Sequence, residues 1–197
     1  MCSWCWGFAP VVQQLQENYA TQLSLRIILT PFRIDTHQAM DTELRNYVLD
    51  QWHKVHASTG QTFDFSFAVK NDFIYNTLLA CKAIKAFAQQ CPEDETSFLH
   101  AIQKAFYTQN IDITDESNLV EIASNYKVDL NSFTKDIHSK QTEEHLEEDF
   151  TFCQQAGVNS YPTLLLQKQA NTILLSNGYS PYSALALELR KQLEESN

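Results

Sequence analysis

An α/β fold split by a long all-helical insertion is what this 197-residue sequence predicts, and three observations predict it. One alternating apolar stretch, LSLRIIL (23–29), lies near the start, and two strand-like runs, TLLLQK (163–168) and TILLS (172–176), lie near the end. Between residues 36 and 149 the apolar positions recur only at helical spacing. Four glycines and five prolines, set among long tracts of Gln, Glu, Lys, Ala and Leu, complete the picture of a helix-rich chain. Helices that do not alternate with strands must form a layer of their own. The expected division is therefore a discontinuous α/β domain, 1–35 with 150–197, and a helical insertion, 36–149.

Apolar residues at 8, 11, 12, 15 and 19 predict the first helix, with Pro10 near its start, where a missing N–H costs least. Leu23, Leu25, Ile27 and Leu29 alternate as a strand that Thr30-Pro31 closes. Met40, Leu44, Tyr47, Val48 and Val55 line a helix ending near Gly60. Ile74, Leu78, Cys81 and Lys85 mark a second, stopping at Cys91-Pro92, and Phe98, Leu99, Ile102, Ala105 and Phe106 a third. Thr114 or Asp115 caps a fourth through Leu119, Ile122, Ala123 and Tyr126, and a short helical turn follows Asp129. Thr142 is expected to cap a helix with Leu146, Phe150 and Cys153 on one face, and Gly157 to end it in a left-handed conformation. Gln169-Ala170-Asn171 joins the two late strands as a hairpin. Ser180 then caps a final helix with Pro181 at its first position and Leu185, Leu189 and Leu193 along its stripe.

The charge, 14 basic against 24 acidic residues for a net of −10, speaks against nucleic acid or an anionic membrane as the main partner. No apolar run approaches the ~20 residues of a membrane span, and no charged-then-apolar leader opens the sequence. A soluble, cytoplasmic protein is expected, with its oligomeric state left open. Glu143, Glu144, Glu147, Glu148 and Asp149 read as a solvated helix face. Five cysteines do not make a disulfide framework. Cys81 and Cys153 fall on apolar faces as small hydrophobes, while Cys91, at a helix end, is placed where it could be exposed.

The other two cysteines form the motif MCSWCWGFAP. The first N–H groups of a helix lack partners and its dipole is positive there, so a thiolate on Cys2 is stabilised, bringing its pKa from about 8.5 into the range of roughly 3.5–7.5. Cys5, one turn further in, is placed to attack a mixed disulfide on Cys2. Cys2 is thus the candidate nucleophile and Cys5 the resolving thiol. Half of a zinc site is the competing reading, but it needs two further ligands; the other cysteines are isolated, and His53 and His56 lie far off in the helical segment. No metal is therefore assigned. Trp4 and Tyr161 are candidates for an aromatic rim gripping apolar substrate. Trp6 and Phe8 read as rim or as core, and Phe32 as cleft lining or as core.

GVNSYPTLLL, with Pro162 before an apolar strand, resembles the cis-proline loop of the thioredoxin superfamily, and Pro10 has that family's spacing after the second cysteine. A trans proline opening an edge strand is the alternative. A thioredoxin fold interrupted by a helical block is similar to the DsbA-like arrangement. MCSWCWGFAP, TPFRID, NTLLACKAIKAF, AFYTQNIDITDESNLVEIA, AGVNSYPTLLL and NGYSPYSAL resemble its FrnE-type branch, close to 2-hydroxychromene-2-carboxylate isomerases and kappa-class glutathione transferases. The resemblance implies a thiol–disulfide oxidoreductase in which Tyr161, Pro162 and Thr163 hold a disulfide- or thiol-containing protein or small-molecule substrate. It implies no bound cofactor, with glutathione as a possible co-substrate. A glutathione-dependent isomerase or transferase is the alternative, against which Cys5 argues. In the family a central strand leads into the motif, whereas only Met1 precedes Cys2 here; a truncated start, or a strand from another chain, is the expected reason. Trp4 carries no positive charge, so a couple less oxidising than a periplasmic DsbA is expected.

Overall fold

The computed structural model describes residues 2–66, 73–169 and 171–194. Eight α-helices and one two-stranded antiparallel sheet are found among them. The helices are α1 (Ser3–Tyr19), α2 (Thr42–Thr59), α3 (Leu78–Gln90), α4 (Glu95–Gln109), α5 (Glu116–Ala123), α6 (Leu130–Ile137), α7 (Lys140–Gln155) and α8 (Tyr182–Glu194); the strands are β1 (Thr163–Lys168) and β2 (Asn171–Asn177).

Helix α1 begins five residues before the apolar stripe, at Ser3, because Cys2 caps it: Cys2 is extended (φ −88°, ψ 117°) and its sulfur accepts the Cys5 N–H. Pro10 consequently lies inside the helix, not near its start. It removes the donor that the Trp6 carbonyl would have had. The side-chain amide of Gln61 fills that vacancy, donating to Trp6 O at 2.9 Å. One flank of α1 crosses α2 closely at Gly7, where a Cβ would stand 2.7 Å from Val55 Cγ1 and 3.0 Å from Thr59 Cγ2.

Residues 23–29 take no regular secondary structure and join no ladder in the described sheet, so the expected strand is not formed there. Alternation sets which side chains face inward, but a strand also needs a hydrogen-bonded neighbour. Part of this segment's backbone is instead satisfied by charged side chains from the helical segment. Leu29 N–H donates to Asp149 Oδ2 (2.8 Å), and Ile27 O accepts from Lys85 Nζ (3.0 Å). Lys85 and Asp149 pair at 2.7 Å, with Arg26 3.5 Å from the other carboxylate oxygen and Glu95 3.7 Å from the ammonium. Asp149 is therefore buried, at 1% exposure, and does not belong to the solvated acidic face.

Aromatic residues build the largest core, with Trp52, Phe63, Phe87, Phe98, Phe106, Tyr107 and Phe133 buried together and Trp6 of α1 joining them. Phe8, Val11 and Leu185 form a second cluster; Tyr19, Leu166 and Leu189 form a third, against which Leu193 packs. The hairpin thus packs one face on α1 and α8 and leaves Leu174 outward. Its register runs from Thr163 opposite Asn177 to Lys168 opposite Asn171, with an irregularity at Leu164/Leu165. Ala170 of the expected turn lies outside the described residues, and Gln169 is left-handed (φ 53°).

Several element ends differ from expectation for local reasons. Ser139, not Thr142, caps α7: its hydroxyl accepts from Thr142 N, while Thr142 is fully buried and donates to Asp136 O. Tyr47 and Phe150 face outward, and Met40 and Ile74 precede their helices. Asp115 and Asp129 cap α5 and α6, and Gly60 and Gly157 stop α2 and α7 with positive φ. Cys91 is buried, its sulfur donating to Lys127 O.

Candidate active site

At the start of α1 the two thiols shift each other's acidity in opposite directions. Cys2 Sγ accepts the Cys5 backbone N–H at 3.4 Å. The hydrogen bond from the Cys5 side chain is the largest influence on Cys2; burial opposes it, and the N–H groups of Cys5 and Trp4 add to it, bringing the thiol from 9.0 to about 7. Cys5 moves the other way: its side-chain hydrogen bond to Cys2, its burial and the charge on Cys2 hold its thiol well above the usual range. No acidic residue lies in the first turn of α1 to repel the anion. Both cysteines are free. Among the described residues no group of three or more His, Cys, Asp or Glu side chains is arranged to hold a metal; His53 stacks on Phe65 and His56 Nδ1 bonds to Gln61 O.

The loop before β1 comes to the same place. Cys2 Sγ lies 3.8 Å from the carbonyl oxygen of Tyr161, and the Tyr161–Pro162 peptide is cis. Pro162 is buried, whereas Tyr161 is 44% exposed beside the sulfur. The Thr163 hydroxyl turns back to Ser160 O at 2.7 Å, bracing the loop instead of facing outward. Gly178 N–H donates to Pro162 O at 2.8 Å, joining the β2–α8 turn to the loop, and Ser160 bonds Asn177 across it.

Trp4 is held from both sides. Its Nε1–H donates to Gln51 Oε1 of α2 at 3.2 Å, and its ring meets Tyr179 at 6.1 Å. A cleft of about 480 Å³ opens there, lined by Trp4, Ser58, Tyr161, Asn177, Gly178 and Tyr179. Another cleft, between Arg26 and the acidic face of α7, contains none of these residues. Trp6 and Phe8 resolve as core, at 9% and 3% exposure; Trp6 Nε1–H donates to Thr62 O. Phe32 is half-buried, edge-on to Tyr75. Of the residues expected at the site, Cys2, Cys5, Trp4, Tyr161 and Pro162 converge. Gln51 and Ser58 were not legible, because α2 approaches the motif only through tertiary packing; Asn177, Gly178 and Tyr179 had a signal in NGYSPYSAL.

Known proteins share the fold of this chain. A solved structure of a proposed protein disulfide isomerase from Nitrosomonas europaea is 31% identical and covers all of this chain and 95% of its own, with a TM-score of 0.90. The cytosolic disulfide reductase DsbM from Pseudomonas aeruginosa, also solved with GSH, is 20% identical and shares the fold (TM-score 0.79, covering 98% of this chain and 95% of its own). Among curated proteins, the ClpXP adapter protein SpxH of Bacillus subtilis is 29% identical over 166 residues, 83% of this chain and 54% of its own length. The chain thus spans about half the length of the curated relatives it matches. No helix among the described residues is long and apolar enough to cross a membrane. The family model described as Thioredoxin matches residues 1–186, and the chain belongs to the thioredoxin family.

Proposed function

We propose that this protein is a thiol–disulfide oxidoreductase of the reductase or isomerase type, acting in the cytoplasm. The observation that carries the reading is the Cys2 sulfur, ionising near pH 7 at the cap of α1 and 3.8 Å from Tyr161 O. A thiol with a pKa near the ambient pH combines a useful thiolate fraction with good nucleophilicity. Cys2 attacks a substrate disulfide, and Cys5 then displaces the substrate from the mixed disulfide. The Tyr161 backbone and Pro162 align the extended substrate, and Trp4 and Tyr161 shape the cleft that receives it. A cleft of this size also suits a small peptide thiol, so glutathione is the co-substrate we favour, in line with the GSH-containing DsbM structure. No bound cofactor enters this scheme.

Cys2→Ser should abolish the reduction of insulin disulfides, and Cys5→Ser should accumulate covalent mixed disulfides with substrate. Activity retained by Cys2→Ser would overturn the assignment. The isomerase or transferase alternative requires only one nucleophile, and it predicts glutathione conjugation or chromene isomerisation by Cys5→Ala. The adapter name of the curated relatives favours a second reading, a client-binding module without turnover. Catalytic turnover of insulin disulfides by the unaltered chain would exclude that as the sole function.

A further inference from the structure

Of the two residues between the cysteines, Trp4 carries the large side chain, and that side chain joins two parts of the molecule. Its ring meets Tyr179, in the turn before α8, and its Nε1–H reaches Gln51 on α2. Tyr179 is backed in turn by Phe8, edge-on at 6.2 Å, and by the apolar cluster of α1 and α8. On the α2 side the hold is one hydrogen bond, 3.2 Å from Nε1 to Gln51 Oε1. An indole N–H can only donate, so the amide must turn its oxygen toward the ring. Its nitrogen then lies 3.5 Å from Asp50 Oδ2, and Asp50 pairs with Lys54 at 2.6 Å. Gln51 therefore bears on the cleft through Trp4.

The cleft gives that hold a use. Among the described residues its lining includes no charged side chain, and its large side chains are the rings of Trp4, Tyr161 and Tyr179. Affinity for a substrate lying across them depends on ring contact. A tryptophan free to turn about its side-chain torsions must be ordered when substrate arrives, and that ordering weakens binding. A ring already held avoids the loss. We propose that Gln51 is a positioning residue that fixes the Trp4 ring as a preformed wall of the cleft, favouring extended protein disulfides over small ones. A small disulfide that touches only the Cys2 sulfur gains nothing from the wall. This inference deepens the oxidoreductase reading and rests on it. Gln51 and Trp4 take no part in the sulfur exchange itself; they act on what is bound while it proceeds.

The test compares Gln51→Leu with the unaltered protein on insulin and on hydroxyethyl disulfide, with dithiothreitol as reductant and the uncatalysed rate subtracted. KM for insulin should rise about fivefold, the size of one net hydrogen bond or one newly ordered side chain, with kcat within about twofold. Specificity for insulin over the small disulfide, as the ratio of their kcat/KM values, should fall by the same factor. In a Trp4→Phe background, which has no indole N–H to hold, Gln51→Leu should add nothing to KM. Heteronuclear spectra of the indole N–H groups read the hold without turnover. The Trp4 signal should move upfield and exchange faster with water in Gln51→Leu, while that of Trp6, bonded to Thr62 O, stays in place and reports an intact core. Should the Trp6 signal be disturbed, Gln51→Ala puts the same question with the same outcomes. An unmoved KM for insulin overturns the proposal, and so does a rise that persists in the Trp4→Phe background or a Trp4 signal that does not respond. Absence of insulin turnover by the unaltered protein would instead overturn the oxidoreductase reading itself.

Discussion

Cys2 does two tasks with one atom: it caps α1 and it carries the reactive charge. The same hydrogen bonds that order the first turn of the helix also hold the thiolate, so reactivity and local folding are coupled. Alkylation of reduced protein by iodoacetamide should rise with pH to half its maximum near pH 7, two units below the ordinary thiol value of 9.0. Stability follows the same protons. Between pH 7 and 9 the unfolded chain holds protons on both thiols while the folded chain holds one, on Cys5, so reduced protein gains stability across that window. Above pH 9 the sign reverses, because the unfolded chain loses both protons while the folded Cys5 keeps its own. The melting temperature of the reduced protein, relative to Cys2→Ser, should accordingly climb from pH 7 to 9; a flat difference would contradict the lowered pKa.

At the level of elements, two contacts decide where α1 and the segment 23–29 lie. Gly7 lets α2 come close enough for Gln51 to reach Trp4, since a methyl group there would collide with Val55, a fully buried β-branched side chain. Gly7→Ala should cost about 1–3 kcal/mol by overpacking, outweighing its helix-propensity gain, and denaturant titration would measure it. Asp149 acts on the other side. Its removal takes the nearest carboxylate from Lys85, whose side chain is only 11% exposed and keeps Ile27 O and the more distant Glu95, and it frees the Leu29 N–H. Asp149→Ala should therefore destabilise by about 3–5 kcal/mol, as expected when one partner of a buried pair is lost. These elements also mark the limit of the sequence. The stripes of α4 and α8 were legible because periodicity reports burial directly. The alternation of 23–29 reported neither a hydrogen-bonded neighbour nor an inward face, since Leu25 is 40% exposed and Ile28 is as half-buried as Ile27. Ser139 and Thr142 are both capable caps three residues apart, and only the chain's path selects between them. Asp149 looked solvated because it follows four glutamates or near neighbours of them; its partners, Lys85 and Leu29, are distant in sequence.

For the whole molecule, the site is assembled from both sides: α1 and the β1 and β2–α8 loops supply the sulfurs, Tyr161 and Tyr179, while α2 supplies Gln51 and Ser58. The first group was readable from motif and spacing, whereas the second depends on how helices meet across the core. A thiol near pH 7 resembles the value of about 7 for thioredoxin more than about 3.5 for DsbA, so the reduction potential should lie nearer −270 than −120 mV. Equilibration with glutathione buffers would measure it. The net charge of −10 adds a kinetic consequence: an anionic disulfide is repelled at a distance, so its reaction should speed up with added salt while that of a neutral disulfide stays level.

The amide of Gln61, bonded to the carbonyl that Pro10 leaves bare, ties the nucleophile's own helix to a residue fifty-five positions away from that carbonyl's residue. With an amide hydrogen at position 10 the Trp6 carbonyl would have its partner within the helix, and the bond from Gln61 would be surplus. Across related sequences, positions 10 and 61 should thus change in concert, with a donor at 61 dispensable wherever the imino acid at 10 has given way to a residue bearing an amide hydrogen.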